Sequence, residues 1–124
     1  ILKKYNFAVK IKPLIIDEYF FLITKNNLLI SVDLKNGEII YSYRINDDLS
    51  KFLNIEKKKV EYRNMFILNG NIFIFIKDSY FIKYDIKGRF KDFKKLPSKI
   101  QSLPIVIDNF ILYLNNKNKI FVYG

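Results

Sequence analysis

Short apolar runs separated by two- to four-residue polar breaks recur along almost the whole chain, and their spacing repeats. The stretches Pro13–Asp33, Met65–Asp85 and Pro104–Gly124 align without a gap. Each opens with three apolar residues: Leu14–Ile16, Phe66–Leu68 and Ile105–Ile107. A polar turn follows, at Asp17-Glu18, Asn69-Gly70 and Asp108-Asn109. Then comes a dense apolar run: Phe20–Ile23, Ile72–Ile76 and Phe110–Leu114. A second polar break, at Lys25-Asn26-Asn27, Lys77-Asp78-Ser79 and Asn115–Asn118, leads into Leu28–Val32, Tyr80–Tyr84 and Ile120–Tyr123. Apolar segments this short, bounded by Asn, Asp and Gly, predict strands and not helices. Each copy therefore reads as two successive hairpins. Asn69-Gly70 suits a two-residue turn, because glycine accepts a positive φ at no steric cost.

The middle run of each copy does not alternate, so both faces of that strand are expected to be buried. A propeller blade meets this demand, since it packs against a neighbour on each side. Two copies continue into a fourth strand. Asp33–Glu38 turns into Ile39–Tyr43, and Asp85–Arg89 turns into Phe90 and on to Leu96; Gly37 and Gly88 stand where the turn favours a residue without Cβ. The third copy has only three strands before Gly124. The turn positions Asp17, Asn69 and Asp108 are separated by intervals in the range of blade repeats, about 40–50 residues. The expected fold is thus all-β: a partial β-propeller of about three four-stranded antiparallel blades. The units lie roughly at 11–45, 58–96 and 100–124, with an N-terminal strand at 3–9 read as the last strand of a preceding unit. The longer first interval includes Asp47–Leu53, predicted as a short helix capped by Asp47 or Asp48, with Leu49, Phe52 and Leu53 on one face.

Composition narrows the chemistry. The 124 residues are 50% hydrophobic, with 12 Phe and 9 Tyr, and contain no Cys, His or Trp. A disulfide framework, a thiol nucleophile, an imidazole base and the usual zinc ligand sets are excluded. The net charge is +10. Nucleic acid or an anionic membrane is one reading of that balance. The other is solvated lysine on loops and edges, and it is preferred for two reasons. Only Arg44, Arg63 and Arg89 are arginines, and the lysines are scattered, with small groups at Lys57–Lys59 and around Lys91, Lys94 and Lys95. The longest apolar runs are five residues, too short to span a bilayer. No signal peptide is visible, and the chain opens at Ile1 in mid-pattern, as a piece of something longer would. The carboxylate pairs Asp17-Glu18 and Asp47-Asp48 fall at predicted turns, where aspartate serves the backbone. Phe21, Phe73, Phe75, Phe81 and Tyr113 read as core filling and not as a base-stacking platform.

The segment Ser31–Tyr41 resembles the PQQ-like propeller repeat, an Ala-x-Asp-x-x-Thr-Gly-x-x-x-Trp pattern. Asp33 and Gly37 stand in their expected places, Asn36 replaces the Thr, and Tyr41 replaces the Trp that wedges between blades. The second copy keeps Asp85 and Gly88 in a turn one residue shorter. The resemblance implies one of two functions. Quinoprotein dehydrogenases of this family carry a vicinal cysteine pair, tryptophan-docked blades and a calcium site. This chain has neither Cys nor Trp, so no catalytic, cofactor or metal residues are assigned. The non-catalytic branch, typified by the outer-membrane assembly factor BamB, implies a periplasmic scaffold at the outer membrane with a protein partner and a lipidated cysteine upstream. The scaffold reading is preferred; a quinoprotein fragment and a basic nucleic-acid-binding module are the alternatives. An open run of blades leaves apolar end faces, which self-association or a larger ring would cover.

Overall fold

The computed structural model describes residues 4–9, 11–52, 60–76, 80–96, 104–115 and 117–123. The predicted break at 77–79 and the lysines at 57–59 lie outside them. The chain divides into two compact units, Ile1–Val60 and Glu61–Gly124.

In the first unit, β1 (Leu14–Ile16), β2 (Tyr19–Ile23), β3 (Leu28–Asp33) and β4 (Ile39–Arg44) form a four-stranded sheet in chain order. All pairings are antiparallel. The second unit repeats this sheet with β5 (Tyr62–Leu68), β6 (Asn71–Ile76), β7 (Tyr80–Asp85) and β8 (Phe90–Lys95). It adds a three-stranded sheet of β9 (Ile105–Ile107), β10 (Phe110–Leu114) and β11 (Ile120–Tyr123), with β10 in the middle. The up-and-down connectivity follows from turns that admit no slack. The first turn residue of each copy is left-handed, at φ 52° for Asp17, 51° for Asn69 and 52° for Asp108, and Gly70 follows Asn69 at 70°. Asn and Asp tolerate this region better than other residues bearing a Cβ. A two-residue link with that twist holds the flanking strands in register.

The prediction that the middle strand is buried on both faces holds fully for β6. Phe73 and Phe75 face one side, Ile72, Ile74 and Ile76 the other, and all five are buried. Phe73 and Phe75 join Leu68, Phe81 and Leu96 in a cluster that packs against Ile111 and Tyr113 of the last sheet, flanked by Phe66, Val106 and Phe121. The cluster between the sheets is largely aromatic. Within each sheet rings also meet across neighbouring strands: Phe75 meets Phe66 edge-on at 5.1 Å, and Tyr113 stacks on Phe121 at 5.5 Å. In β10 the expectation fails for one face. Ile111 and Tyr113 are buried, but Phe110 is exposed and Leu112 and Leu114 are only half-buried.

Two further expectations change. The 4–9 stretch forms no ladder of its own. Val9 makes a single antiparallel bridge to Thr24, and Lys25 N–H donates to Ala8 O at 2.7 Å. In the second unit the matching pair is Tyr62 and Ile76. Val9 thus sits beside β2 on the β1 side of its own sheet. Phe7 lies over one face of that sheet, packed on Leu22, Ile30 and Val32.

The short helix α1 spans Ile45–Leu49, earlier than predicted, with Arg44 at its N-cap and no side-chain cap. Asp47 and Asp48 lie inside its first turn. Its buried residues are Ile45 and Leu49, one helical turn apart, so the strand-ending isoleucine and not an aspartate sets where it begins. Phe52 is 49% exposed and leaves the predicted shared face, and position 53 lies outside the described residues.

Ser31, 1% exposed in β3, has a buried Oγ without a hydrogen-bond partner among the described residues. A buried hydroxyl left unpaired carries a desolvation cost that alanine does not. Ser31→Ala is therefore expected to leave stability unchanged or raise it by about 1 kcal/mol, read from the urea midpoint; a loss of that size would show that the hydroxyl is satisfied.

Candidate interaction surface

Asp33 and Asp85 recur at the same place in the two four-stranded sheets for reasons of backbone chemistry. In the β7–β8 turn, Asp85 Oδ1 accepts from Lys87 N–H and Arg89 N–H, both at 2.9 Å, and Oδ2 accepts from Arg89 Nε at 2.9 Å. Gly88, at φ 82°, returns its N–H to Asp85 O. In the one-residue-longer β3–β4 turn, Asp33 Oδ1 accepts from Lys35 N–H, and Gly37, at φ 74°, donates to Asp33 O. Asn36, where the repeat pattern has Thr, accepts from Glu38 N–H.

Two residues with the same role escape the sequence pattern. Asn115 Oδ1 accepts from Lys117 and Lys119 N–H in the β10–β11 turn, with left-handed Asn118 in the place of glycine. Thr24 Oγ1 accepts from Leu28 N–H between β2 and β3, with Asn27 left-handed. A side-chain oxygen just before the loop, followed by a left-handed residue three positions on, was the legible signal. Asp85 is a turn cap and not a free base. Burial is the largest single influence and raises its pKa, but the hydrogen bonds and charge of Arg89, with the Lys87 N–H, together outweigh it and hold the carboxyl below the ordinary aspartate value. Burial pushes the Tyr62 phenol upward.

Tyr41, the counterpart of the repeat tryptophan, is half-buried on β4, with its ring 5.1 Å from that of Tyr43. It stands in a terminal strand whose character differs sharply from that of its counterpart in the second unit. Strand β8 reads Phe-Lys-Asp-Phe-Lys-Lys, and its lysines guard the edge against further pairing. Strand β4 reads Ile-Ile-Tyr-Ser-Tyr-Arg, with Ile39, Ile40 and Tyr43 exposed, and ends its sheet without lysine or proline. A bulge at Ser31/Val32 shifts the register at Ile40. Beside its end lies an open cavity of about 400 Å³ lined by Asn26, Asn27, Leu28, Arg44, Asn46 and Asp47. Apart from Leu28, these are three amides and one charge of each sign, suited to hydrogen-bonding a polypeptide backbone.

Several basic residues are engaged locally. Lys35 pairs with Glu18, Lys51 with Asp48, Arg89 and Lys91 with Asp85, and Lys94 with Asp92. Lys83 and Lys95 lie over the rings of Phe73 and Tyr80. The described residues contain no group of three or more acidic side chains placed to hold a metal ion. They also contain no helix long and apolar enough to cross a membrane.

No protein-family profile and no curated protein sequence matches the chain. Solved structures do. BamB from Moraxella catarrhalis superposes with a TM-score of 0.65 at 12% identity, over 90% of this chain and 30% of its own. The quinohemoprotein alcohol dehydrogenase of Comamonas testosteroni gives 0.57 at 17% identity, over 86% of this chain and 17% of that one. ADHIIG of Pseudomonas putida HK5 gives 0.60 at 15% identity, over 92% and 18%. The fold is that of β-propeller blades, and the chain spans less than a third of the length of each of these structures.

Asp85→Ala removes the acceptor of three hydrogen bonds and is expected to cost about 1 kcal/mol. Asp85→Asn keeps the turn bonds, as Asn115 does, and costs less. Because the folded carboxyl titrates below its unfolded value, its contribution is complete above the ordinary aspartate pKa, about 3.9, and is lost as pH falls through the lowered one. Urea unfolding of wild type and Asp85→Asn should differ near neutrality, and the difference should close at acid pH.

Proposed function

We propose that this chain is a segment of a non-catalytic propeller that binds protein, a scaffold of the outer-membrane assembly kind working on the periplasmic side of the outer membrane. The observation that carries the reading is the β4 edge. An exposed terminal strand with apolar and aromatic side chains, whose one charge is Arg44 at its end, can accept another extended chain by backbone pairing, with alternate side chains giving specificity. The likeness to BamB supports the scaffold class. So does the use of the repeat aspartates as turn caps, which leaves them no part in acid–base work.

A second reading, a segment of a quinoprotein dehydrogenase, draws on the two alcohol dehydrogenase superpositions. The cysteine pair and tryptophans that accompany the cofactor in that branch have no counterpart in this sequence. Incubation with the quinone cofactor and calcium, followed by absorbance, tests it directly.

The scaffold reading is tested with a synthetic strand peptide that alternates apolar and polar residues in the manner of an outer-membrane barrel strand. Such a peptide is expected to bind the wild-type chain. Ile40→Lys and Tyr43→Lys, both at exposed positions, should weaken binding about tenfold or more, equivalent to at least about 1.4 kcal/mol. Binding unaffected by either substitution would remove β4 from the site. No binding, together with quinone uptake, would favour the dehydrogenase reading.

A further inference from the structure

The hydrogen bonds around β4 fix which of its backbone groups point away from its sheet. The ladder with β3 pairs Leu28 with Arg44, Leu29 with Tyr43, Ile30 with Ser42 and Ser31 with Tyr41. One step beyond, Ile45 N–H donates to Asn27 O at 3.1 Å, so Asn27 and Ile45 form a hydrogen-bonded pair. Bonded and non-bonded pairs alternate along an antiparallel ladder. Tyr43 and Tyr41 therefore bond to β3, whereas Ser42 and Arg44 turn their backbone groups to the open side. The Arg44 C=O serves the first turn of α1, where Arg44 is the N-cap. Ser42 keeps a donor and an acceptor on the open side, and Arg44 keeps a donor.

The open stretch runs from Tyr41 to Arg44. The bulge at Ser31/Val32 breaks the register before Tyr41, and α1 takes over at Ile45. The described N-terminal residues lie elsewhere. Phe7 packs on Leu22, Ile30 and Val32, and the Tyr5 hydroxyl donates to Gly37 O at 2.6 Å, ahead of β4. Side chains alternate between the two faces of a strand. Tyr41 and Tyr43 share one face, their rings 5.1 Å apart, and Tyr43 is 40% exposed. Ser42 and Arg44 share the other face, and both are exposed. The Arg44 guanidinium makes no ion pair or hydrogen bond among the described residues, although Asp47 lines the same cavity.

We infer, building on the strand-pairing reading of β4, that its partner is an acidic extended segment that adds antiparallel to this strand. In chain order the segment carries a carboxylate, an aromatic or β-branched residue, a small polar residue, and a second aromatic or β-branched residue. The carboxylate stands opposite Arg44, where a cross-strand pair of opposite charge is favourable and a lysine is repelled. The second and fourth residues stand opposite Tyr43 and Tyr41. Those are non-hydrogen-bonded pairs, in which side chains approach most closely, so ring and β-branched contacts count for most there. The third residue exchanges both backbone bonds with Ser42. Antiparallel addition continues the sense of every ladder in this sheet and is the more stable sense per residue. The net charge of +10 steers an acidic segment toward the chain.

The test uses the 124-residue chain and a labelled peptide with a Glu-Tyr-Thr-Val core between neutral polar flanks, read by fluorescence anisotropy. This peptide is expected to bind about tenfold more tightly than the same peptide with Lys in place of Glu. Arg44→Glu, with its fold confirmed by circular dichroism, should reverse the preference. N-methylation of the peptide threonine should abolish binding, and N-methylation of its tyrosine should not, because only the threonine N–H faces β4. Equal affinity for the Glu and Lys peptides, with Tyr43→Lys weakening both, would overturn the acidic partner and leave strand pairing at β4 standing. Loss of binding on methylation of the tyrosine and not the threonine would overturn the assigned register. Binding of neither peptide would remove pairing at β4 itself, and the acidic partner with it.

Discussion

A strand that is apolar on both faces needs cover on both faces, and this demand organises the molecule. Strand β6 meets it fully: Phe73 and Phe75 pack into the sheet-to-sheet cluster while Ile72, Ile74 and Ile76 are buried on the opposite side. Burying an isoleucine or phenylalanine side chain is worth about 1.5–3 kcal/mol, so a handful of such residues outweighs any of the exposed ion pairs, each of which contributes about 1 kcal/mol or less. Strand β10 buries Ile111 and Tyr113 on one side, whereas Phe110 on the other is exposed.

The turns convert this packing into a defined register. Left-handed residues recur at matched places, and a side-chain oxygen caps each of the four longer loops described. Thr24, Asp33, Asp85 and Asn115 perform this task with three different residue types. The chemical identity of the cap varies because the backbone asks only for an acceptor within reach of N–H groups two or four residues on. The repeat aspartates are thereby tied to local structure. The two terminal strands differ: β8 carries three lysines, whereas β4 is mostly apolar and aromatic before Arg44.

Much of this was legible without coordinates. The strand positions and the hairpin turns follow from short apolar runs and from where Asn, Asp and Gly fall, because strand period and turn conformation are local properties. The large aromatic core followed from the non-alternating middle strands. The cap roles of Asp33 and Asp85 were only half legible: their turn positions were clear, but the equivalence with Thr24 and Asn115 was hidden by the change of residue type.

The sequence by itself determined that the chain is made of meandering sheets with double-sided apolar strands, since the hydrophobic period and the turn residues permit little else. Only the tertiary structure decided which apolar residues are covered. Phe7 and Ile120 read alike as greasy residues in short runs, yet one closes a sheet face and the other stands open. The same holds for α1, whose start depends on Ile45 and Leu49 finding a buried place and not on a nearby aspartate. Burial is a property of what lies opposite, and a local pattern carries no information about that.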